Sequence, residues 1–296
     1  MEKEYWFVIF SGILSGGIIF GGALLSSIGL SPYEITFFHS LTSVILLLPL
    51  TLFNKKYRPK VDYVKILIIF ALINSLLGVS QFVPAKLGVP VSITVLLLYT
   101  QPIWTTIFSK IFLDEKITKI KILAILLALI GIVFIINPFQ LKKIGSVPGI
   151  ITGLIAGILL SGWIIFGRVS SKKEINPITT KFGIDLFTIF FLIAFFPITK
   201  LLIKDPSIVS LSFIQNTRNY FYLLLFGSFA GIAPHLLYFK GVKKVTSSDA
   251  GIILLLEPVS ASILAAIFLG QSLTLNVIIG GILILVSNYL AIREKG

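Results

Sequence analysis

Apolar stretches of membrane-spanning length follow one another along nearly the whole of this 296-residue chain. A membrane helix needs about 20 mostly apolar residues in a row. Hydrophobic residues make up 56% of the sequence and charged residues only 12%, whereas soluble domains carry about 25% charged residues. We therefore predict an all-α membrane protein with ten transmembrane helices, at approximately residues 5–26, 33–53, 63–85, 89–111, 117–137, 147–168, 176–203, 216–240, 245–268 and 271–292.

The distribution of basic residues predicts how these helices are oriented. The formal net charge is +13, from 25 Lys and Arg against 12 Asp and Glu, and in membrane proteins such an excess lies on cytoplasmic loops. If the N-terminus is cytoplasmic, 19 of the 25 basic residues fall on that side, and the others are Lys86, Lys142, Lys143, Lys200, Lys204 and Arg218. We expect a multi-pass cell-membrane protein with both termini in the cytoplasm and no nucleic-acid partner.

An internal repeat relates the two halves of the chain. A shift of 156 positions places residues 99–118 on residues 255–274 without a gap, with six identical residues among twenty. The identical pairs include Pro102 and Pro258, which fall within the predicted helices 4 and 9. This pattern predicts two five-helix repeats, at residues 1–140 and 141–296, within one integral membrane unit.

An odd number of spans in each repeat predicts that the two halves are inserted in opposite orientations. Equivalent loops should then differ in basicity, because Lys and Arg collect on one side of the membrane. The aligned positions are Lys110, Lys116, Lys119 and Lys121 with Ala266, Ser272, Leu275 and Val277, and Leu87 and Gly88 with Lys243 and Lys244. Each position is basic only in the copy that faces the cytoplasm. This is the inverted-repeat arrangement of many secondary transporters.

The repeated motif resembles that of the drug/metabolite transporter superfamily, and within it that of the EamA-type exporters. The two copies are Gln101-Pro102 with Phe112-Leu113-Asp114-Glu115-Lys116-Ile117-Thr118, and Glu257-Pro258 with Phe268-Leu269-Gly270-Gln271-Ser272-Leu273-Thr274. The family usually has Glu after helices 4 and 9, where this chain has Glu115 and Gln271. The resemblance implies export of small metabolites or amino acids by alternating access, without an ATP site. It also implies that helices 5 and 10 lie at the periphery.

Three charged residues are assigned to membrane depth within the predicted spans, where a charge is costly unless it faces a cavity or a partner. Glu257, beside Pro258, is interpreted either as a proton-responsive carboxylate or as a carboxyl that binds backbone groups freed by the proline. Lys181 and Asp185 are four residues apart on one helical face. They are interpreted either as an intramembrane ion pair or, for Lys181, as a contact for a substrate carboxylate.

Both histidines of the chain also fall within predicted spans. His39 shares a polar face of helix 2 with Thr36 and Ser43, and it fits either a hydrogen-bonded packing residue or a group that contacts substrate or protons. His235 shares a stripe with Tyr238 and two glycines. That stripe fits either a cavity wall or close helix packing through small residues.

Uncharged polar and aromatic residues complete the predicted cavity. Amide side chains that face lipid would be unsatisfied, so those on helices 3 and 4 are expected to face the interior. Aromatic side chains would wall a pocket for apolar or aromatic amino acids and amphipathic cations, with ordinary packing as the alternative. The predicted substrate-binding residues are His39, Asn74, Gln81, Tyr99, Gln101, Trp104, Trp163, His235 and Tyr238.

Nothing in the sequence supports catalysis or a bound cofactor. The chain has no cysteine and two histidines, and it lacks the spacings typical of metal sites, nucleophile elbows and phosphate-binding loops. We predict a secondary transporter that is not an enzyme, has a small-molecule substrate, lies in the lipid bilayer and uses no ATP. Protons are a further partner if Glu257 titrates. The alternatives are a carrier of anionic, phosphate-bearing metabolites, a channel or scramblase, and an intramembrane enzyme.

Overall fold

Helices form the regular structure in a computed structural model of the chain, which describes residues 2–137, 146–213, 216–270 and 272–294. They are α1 (Lys3–Ser27), α2 (Pro32–Phe53), α3 (Val61–Ser80), α4 (Val83–Lys86), α5 (Val91–Leu98), α6 (Gln101–Leu113), α7 (Lys119–Ile136), α8 (Val147–Lys172), α9 (Pro177–Leu202), α10 (Thr217–Leu225), α11 (Ala233–Gly241), α12 (Ser247–Ile253), α13 (Leu256–Leu269) and α14 (Leu275–Arg293). Within the described residues, nine segments are long and apolar enough to cross a membrane. The prediction of an all-helical membrane protein is confirmed.

The number of spanning segments differs from the prediction at the fourth span. The stretch predicted at residues 89–111 consists of α5 and α6, and neither helix alone reaches spanning length. Pro102 in the first turn of α6 has no amide hydrogen, so it cannot continue the hydrogen-bond ladder from α5. The ninth predicted span is broken in the same way between α12 and α13, just before Pro258.

The bounds of the helices recur at the interval of the sequence repeat. Helices α5, α6 and α7, shifted by 156 positions, begin and end within one residue of α12, α13 and α14. The turns after α6 and α13 each use a left-handed residue, Asp114 with φ 54° and Gly270 with φ 65°. Thr118 and Thr274 each cap the next helix by accepting a hydrogen bond from the backbone amide three residues on. Equivalent residues therefore produce the same local structure in both halves.

Close glycine contacts bring helices of the two halves together. Helices α7 and α14 pack along each other, and a Cβ atom at Gly131 would lie 2.7 Å from the Gly280 carbonyl oxygen. Helix α1 packs against α13 in the same manner, because a Cβ atom at Gly16 would lie 2.7 Å from the Ala261 amide nitrogen. Small residues allow such close backbone approach, which is a common packing device between membrane helices.

The two ends of the bundle differ in charge. We call one of them the basic end; it comprises the connections at residues 54–60, 114–118, 173–176 and 242–246, and Thr179 donates there to the Tyr57 carbonyl oxygen at 2.9 Å. The opposite end holds the start of α8 and the chain after α4, where Ser146 donates to the Leu87 carbonyl oxygen at 2.7 Å. The sequence predicts that the basic end faces the cytoplasm.

Three cations that the sequence pattern assigns to the cytoplasmic side are buried in the bundle. Lys121, Arg168 and Lys181 are 1%, 7% and 3% exposed, and each forms an ion pair with a carboxylate. They therefore do not contribute to the exposed basic surface of the loops, and the orientation stays a prediction. Other predicted features lie outside the described residues: Lys142, Lys143, Gln271, Lys295 and the boundary between residues 140 and 141.

Candidate functional site

A cavity lies at the centre of the bundle, between helices of both halves of the chain. Six of the predicted site residues line it, namely His39, Asn74, Gln81, Trp163, His235 and Glu257. The cavity extends toward the end opposite the basic end, where Ile35 lies in the first turn of α2 and Gln81 follows α3. The lining identified among the described residues includes none from α7 or α14, which correspond to the predicted helices 5 and 10.

Glu257 is the acidic residue of the cavity. It lies in the first turn of α13, close to Tyr99 at the equivalent break between α5 and α6, whose buried hydroxyl has no hydrogen-bond partner among the described residues. Over the described ranges, no basic side chain pairs with Glu257, and no Lys or Arg lines the cavity. The cavity therefore holds an acid without a built-in counter-ion, which suits a proton or a cationic group.

The two histidines lie side by side in the lining, with ring centroids 6.0 Å apart. His235 Nδ1 is hydrogen-bonded to the carbonyl oxygen of Gly231, which belongs to a π-helical turn at residues 226–232. The buried Nε2 atom of His39 has no hydrogen-bond partner among the described residues. That nitrogen lies against the π-helical turn, because a Cβ atom at Gly231 would be 2.6 Å from it, and π-helical turns are frequent at functional positions.

Trp163 from α8 forms the floor of the cavity toward the basic end. Its ring lies 4.9 Å from that of His235 and 5.0 Å from that of Tyr238. Its indole N–H donates to Asn74 Oδ1 at 3.1 Å, and Asn74 Nδ2 donates to Thr188 Oγ1 at 3.0 Å. Tyr238 lies below the lining and donates its hydroxyl to a backbone carbonyl of α8 at 2.8 Å. These contacts fix the floor by joining α3, α8, α9 and α11.

The predicted pair on α9 lies behind the cavity wall. Lys181 Nζ lies 2.9 Å from Asp185 Oδ2, and both side chains are buried. Ser40 and Ser43 from α2 lie close to the same carboxylate, and neither Lys181 nor Asp185 lines the cavity. This arrangement favours an intramembrane ion pair over contact between Lys181 and a substrate.

Gln101 and Trp104 on α6 also lie outside the cavity lining. The Gln101 side chain is buried and donates to Thr105 Oγ1 at 2.6 Å. Trp104 is half-buried, and its indole N–H donates to Thr100 Oγ1 at 3.3 Å. The periodicity that predicts a cavity position for them assumes one continuous span, whereas α5 and α6 are separate helices with independently set faces.

Four buried charges at the basic end form a second polar site, which we call the charge cluster: Glu115, Lys121, Arg168 and Asp249. Lys121 Nζ lies 3.2 Å from Asp249 Oδ1, and Arg168 Nε lies 3.3 Å from Glu115 Oε1. The sequence pattern does not reveal the cluster, because each member lies near the edge of an apolar run and resembles a loop charge. The signal for it is Glu115, the acid that the resemblance places after helix 4.

Comparisons with known proteins agree with this architecture. The model of the EamA-like transporter family matches residues 2–137 and 147–293. An uncharacterized transporter of Clostridium kluyveri is 26% identical over 97% of this chain and 92% of its own length. An uncharacterized transporter of Archaeoglobus fulgidus is 27% identical over 97% of this chain and 96% of its own. The fold is also similar to that of a solved crystal structure, with a TM-score of 0.75 over 99% of each chain and 15% sequence identity. This likeness concerns the fold alone.

Proposed function

Because the chain belongs to the EamA-like transporter family, a branch of the drug/metabolite transporter superfamily, we propose that it is a secondary carrier that exports a small metabolite across the cell membrane. The observation that carries the proposal is the central cavity, which is lined from both halves and contains Glu257, an acid with no ion-pair partner among the described residues. Transport proceeds by alternating access, in which the halves rock about the cavity and open it to one side at a time. The carrier is not an enzyme and uses no ATP, cofactor or nucleic acid.

In this proposal ten spans form two inverted five-helix repeats, at residues 1–140 and 141–296. The fourth span is α5 with α6, which together cover residues 91–113. At 1.5 Å per residue they extend about 34 Å, enough to cross the hydrocarbon core of a bilayer. The recurrence of helix bounds at 156 residues supports the repeat, and the excess of Lys and Arg supports a cytoplasmic basic end with both termini on that side.

The chemistry of the cavity favours apolar or aromatic amino acids and amphipathic cations as cargo. Trp163, Phe82 and Phe226 offer aromatic faces to an apolar body or to a cation. Glu257 offers a negative charge to an amino group, and the lack of Lys and Arg along the described lining opposes anionic, phosphate-bearing cargo. The proposed cargo-contacting residues are His39, Asn74, Gln81, Trp163, His235 and Glu257, with Tyr99 and Tyr238 behind them.

Glu257 is also the proposed site of proton coupling. A proton and a cationic group compete for the same carboxylate, so the arrival of one favours release of the other into the aqueous phase to which the cavity is open. The carboxyl accepts no hydrogen bond from the backbone in the described part of the chain, and Tyr99 lies close to it. These contacts support the proton-responsive role of Glu257 over a role in binding backbone groups beside Pro258.

Glu257→Gln is expected to abolish flux that depends on a pH gradient. Purified protein in proteoliposomes is tested with radiolabelled phenylalanine and phenethylamine, with and without an imposed pH gradient. Wild-type flux is expected to saturate and to rise with the gradient, because protons exchange with cargo at Glu257. In Glu257→Gln the gradient is expected to have no effect, since an amide does not titrate. Glu174→Gln is the control, because that acid is 75% exposed at the basic end.

The outcomes separate this proposal from its alternatives. Full gradient-driven flux in Glu257→Gln would refute coupling through this residue. Flux that never saturates and shows no counter-transport indicates a channel or scramblase. Turnover of lipids without transport indicates an intramembrane enzyme, and preference for a sugar phosphate over both probes indicates an anion carrier.

A further inference from the structure

We propose that the charge cluster is a gate that closes the cavity at the basic end while the cavity extends toward the opposite end. The proposal rests on the alternating access proposed above and goes beyond it, because it assigns a role to four residues outside the cavity. They are positioning residues: they contact no cargo, and they determine the side to which the cavity opens.

The cluster lies at the basic end, on that side of the cavity floor. Arg168 follows Trp163 by five residues along α8, which is about 7.5 Å farther toward that end. The four side chains of the cluster are at most 9% exposed. The packed aromatic floor and the buried ion pairs therefore form two successive layers between the cavity and the water at the basic end.

Each ion pair of the cluster joins one half of the chain to the other. Glu115 lies in the connection between α6 and α7 and Lys121 in the first turn of α7, whereas Arg168 lies near the end of α8 and Asp249 in the first turn of α12. The Glu115 carboxylate also accepts a hydrogen bond from the backbone amide of Ser247, at 2.9 Å, where α12 begins. If the halves separate at the basic end to open the cavity there, both ion pairs must break.

The sequence carries no equivalent set of charges for the opposite end. At the interval of the repeat, the corresponding pairs are Glu115 with Gln271, Lys121 with Val277, and Asp249 with Ile93. Inverted symmetry assigns these counterparts to the opposite end. They cannot form ion pairs with one another when the cavity closes there. The ion pairs of the charge cluster therefore have no charged counterpart at the repeat-related positions; the buried acid of the opposite end, Glu34, is hydrogen-bonded instead to Ser210 Oγ and the Ser212 amide, each at 3.0 Å.

Removal of one partner of a buried pair is expected to open this gate. A buried ion without its partner is strongly destabilised, whereas the same ion is hydrated when the cavity opens to water beside it. Glu115→Gln leaves Arg168 unpaired in the closed form, and it keeps an oxygen that accepts from the Ser247 amide. The substitution therefore shifts the population toward the form that is open at the basic end.

The lack of cysteine in the chain allows a direct test. Ser15→Cys places one thiol in the cavity lining, and in a separate protein Lys55→Cys, on an exposed turn, identifies the membrane face that holds the basic end. A membrane-impermeant maleimide is added to one face of sealed vesicles at a time. We expect labelling of Ser15→Cys from the basic face to rise about tenfold or more when Glu115→Gln is added.

Matched variants distinguish the gate from a general loss of charge. Glu174→Gln removes an acid of the same end whose ion pair with Lys243 is 75% and 58% exposed, and labelling is expected to stay unchanged. Arg168→Gln added to Glu115→Gln removes the unpaired ion, so labelling from the basic face is expected to fall back. Unchanged labelling in Glu115→Gln, or an equal rise in Glu174→Gln, overturns the proposal.

The variant Lys121→Gln and a comparison of labelling with transport cover the remaining outcomes of the test. If Glu115→Gln does not elute as a folded protein in detergent, Lys121→Gln tests the second ion pair with the same expected rise, and unchanged labelling there overturns the gate. Labelling needs no cargo, so its outcome is independent of the transport assay. A rise in labelling without transport of either probe contradicts the proposed function and leaves the gate standing; transport without a rise contradicts the gate alone.

Discussion

Gly280→Ala is expected to lower the free energy of unfolding by about 1–3 kcal/mol, the usual cost of overpacking a tight contact. A Cβ atom at this position would lie 2.9 Å from the Ile135 amide nitrogen and would press on the Gly131 carbonyl oxygen. Both obstacles are backbone atoms of α7, so no side-chain rotation relieves the clash. The two helices must move apart, which loosens the contact between the halves. The midpoint of thermal unfolding in detergent measures the effect.

The neighbouring glycine provides the control for this prediction. A Cβ atom at Gly281 would have Val259 Cγ1 as its nearest neighbour, at 3.7 Å, an ordinary van der Waals distance. Alanine is a better helix former than glycine by about 1 kcal/mol, so Gly281→Ala is expected to be neutral or stabilising. Equal losses in both variants would show that the α7–α14 contact is not the cause.

Lys181→Met is expected to destabilise the protein by about 3–5 kcal/mol, because it leaves the Asp185 carboxylate buried and unpaired. The two groups are 3% and 0% exposed, with Nζ 2.9 Å from Oδ2, so water cannot replace the missing ammonium. The loss is measured as a lower unfolding midpoint in detergent. If Lys181 instead serves to bind a substrate carboxylate, stability stays close to that of the wild type and the KM for phenylalanine rises.

A double variant and an exposed pair are the controls for Lys181→Met. Lys181→Met with Asp185→Asn removes both charges and keeps a hydrogen-bonding side chain beside Ser40 and Ser43, so most of the lost stability is expected to return. Lys243→Met breaks an ion pair that is 58% and 75% exposed, and a surface substitution of this kind changes stability by about 0.5 kcal/mol or less. A failure of the double variant to recover would contradict the ion-pair interpretation.

The membrane helices could be predicted from the sequence because hydropathy is a local property. Each span needs its own run of apolar residues whatever its neighbours are, and caps such as Thr118 and Thr274 act within one turn. The break between α5 and α6 follows from Pro102, yet a proline in a membrane helix can also be accommodated by a kink. The sequence pattern does not distinguish those two outcomes, so it predicts a fourth span without showing that this stretch consists of two separate helices.

The candidate site was predicted only in part, because helical periodicity places a residue on a face without identifying what that face contacts. His39, Asn74, Gln81, Trp163, His235 and Glu257 line the cavity. Gln101 and Trp104 do not, since the break before α6 resets the direction of that face. Their functional roles remain predictions that the transport experiments test.

The amino-acid sequence by itself determines that this chain is an all-helical membrane protein of the EamA-like family, with polar residues at defined depths in its spans. These properties depend on local composition and on the motif around the two prolines. The tertiary structure decides which charges meet. Lys121 and Asp249 are 128 positions apart in the chain, and Glu115 and Arg168 are 53 apart, and each pair meets only when the two halves pack. The physical reason is that burial converts scattered charges, which would be hydrated singly on loops, into ion pairs that are stable only together.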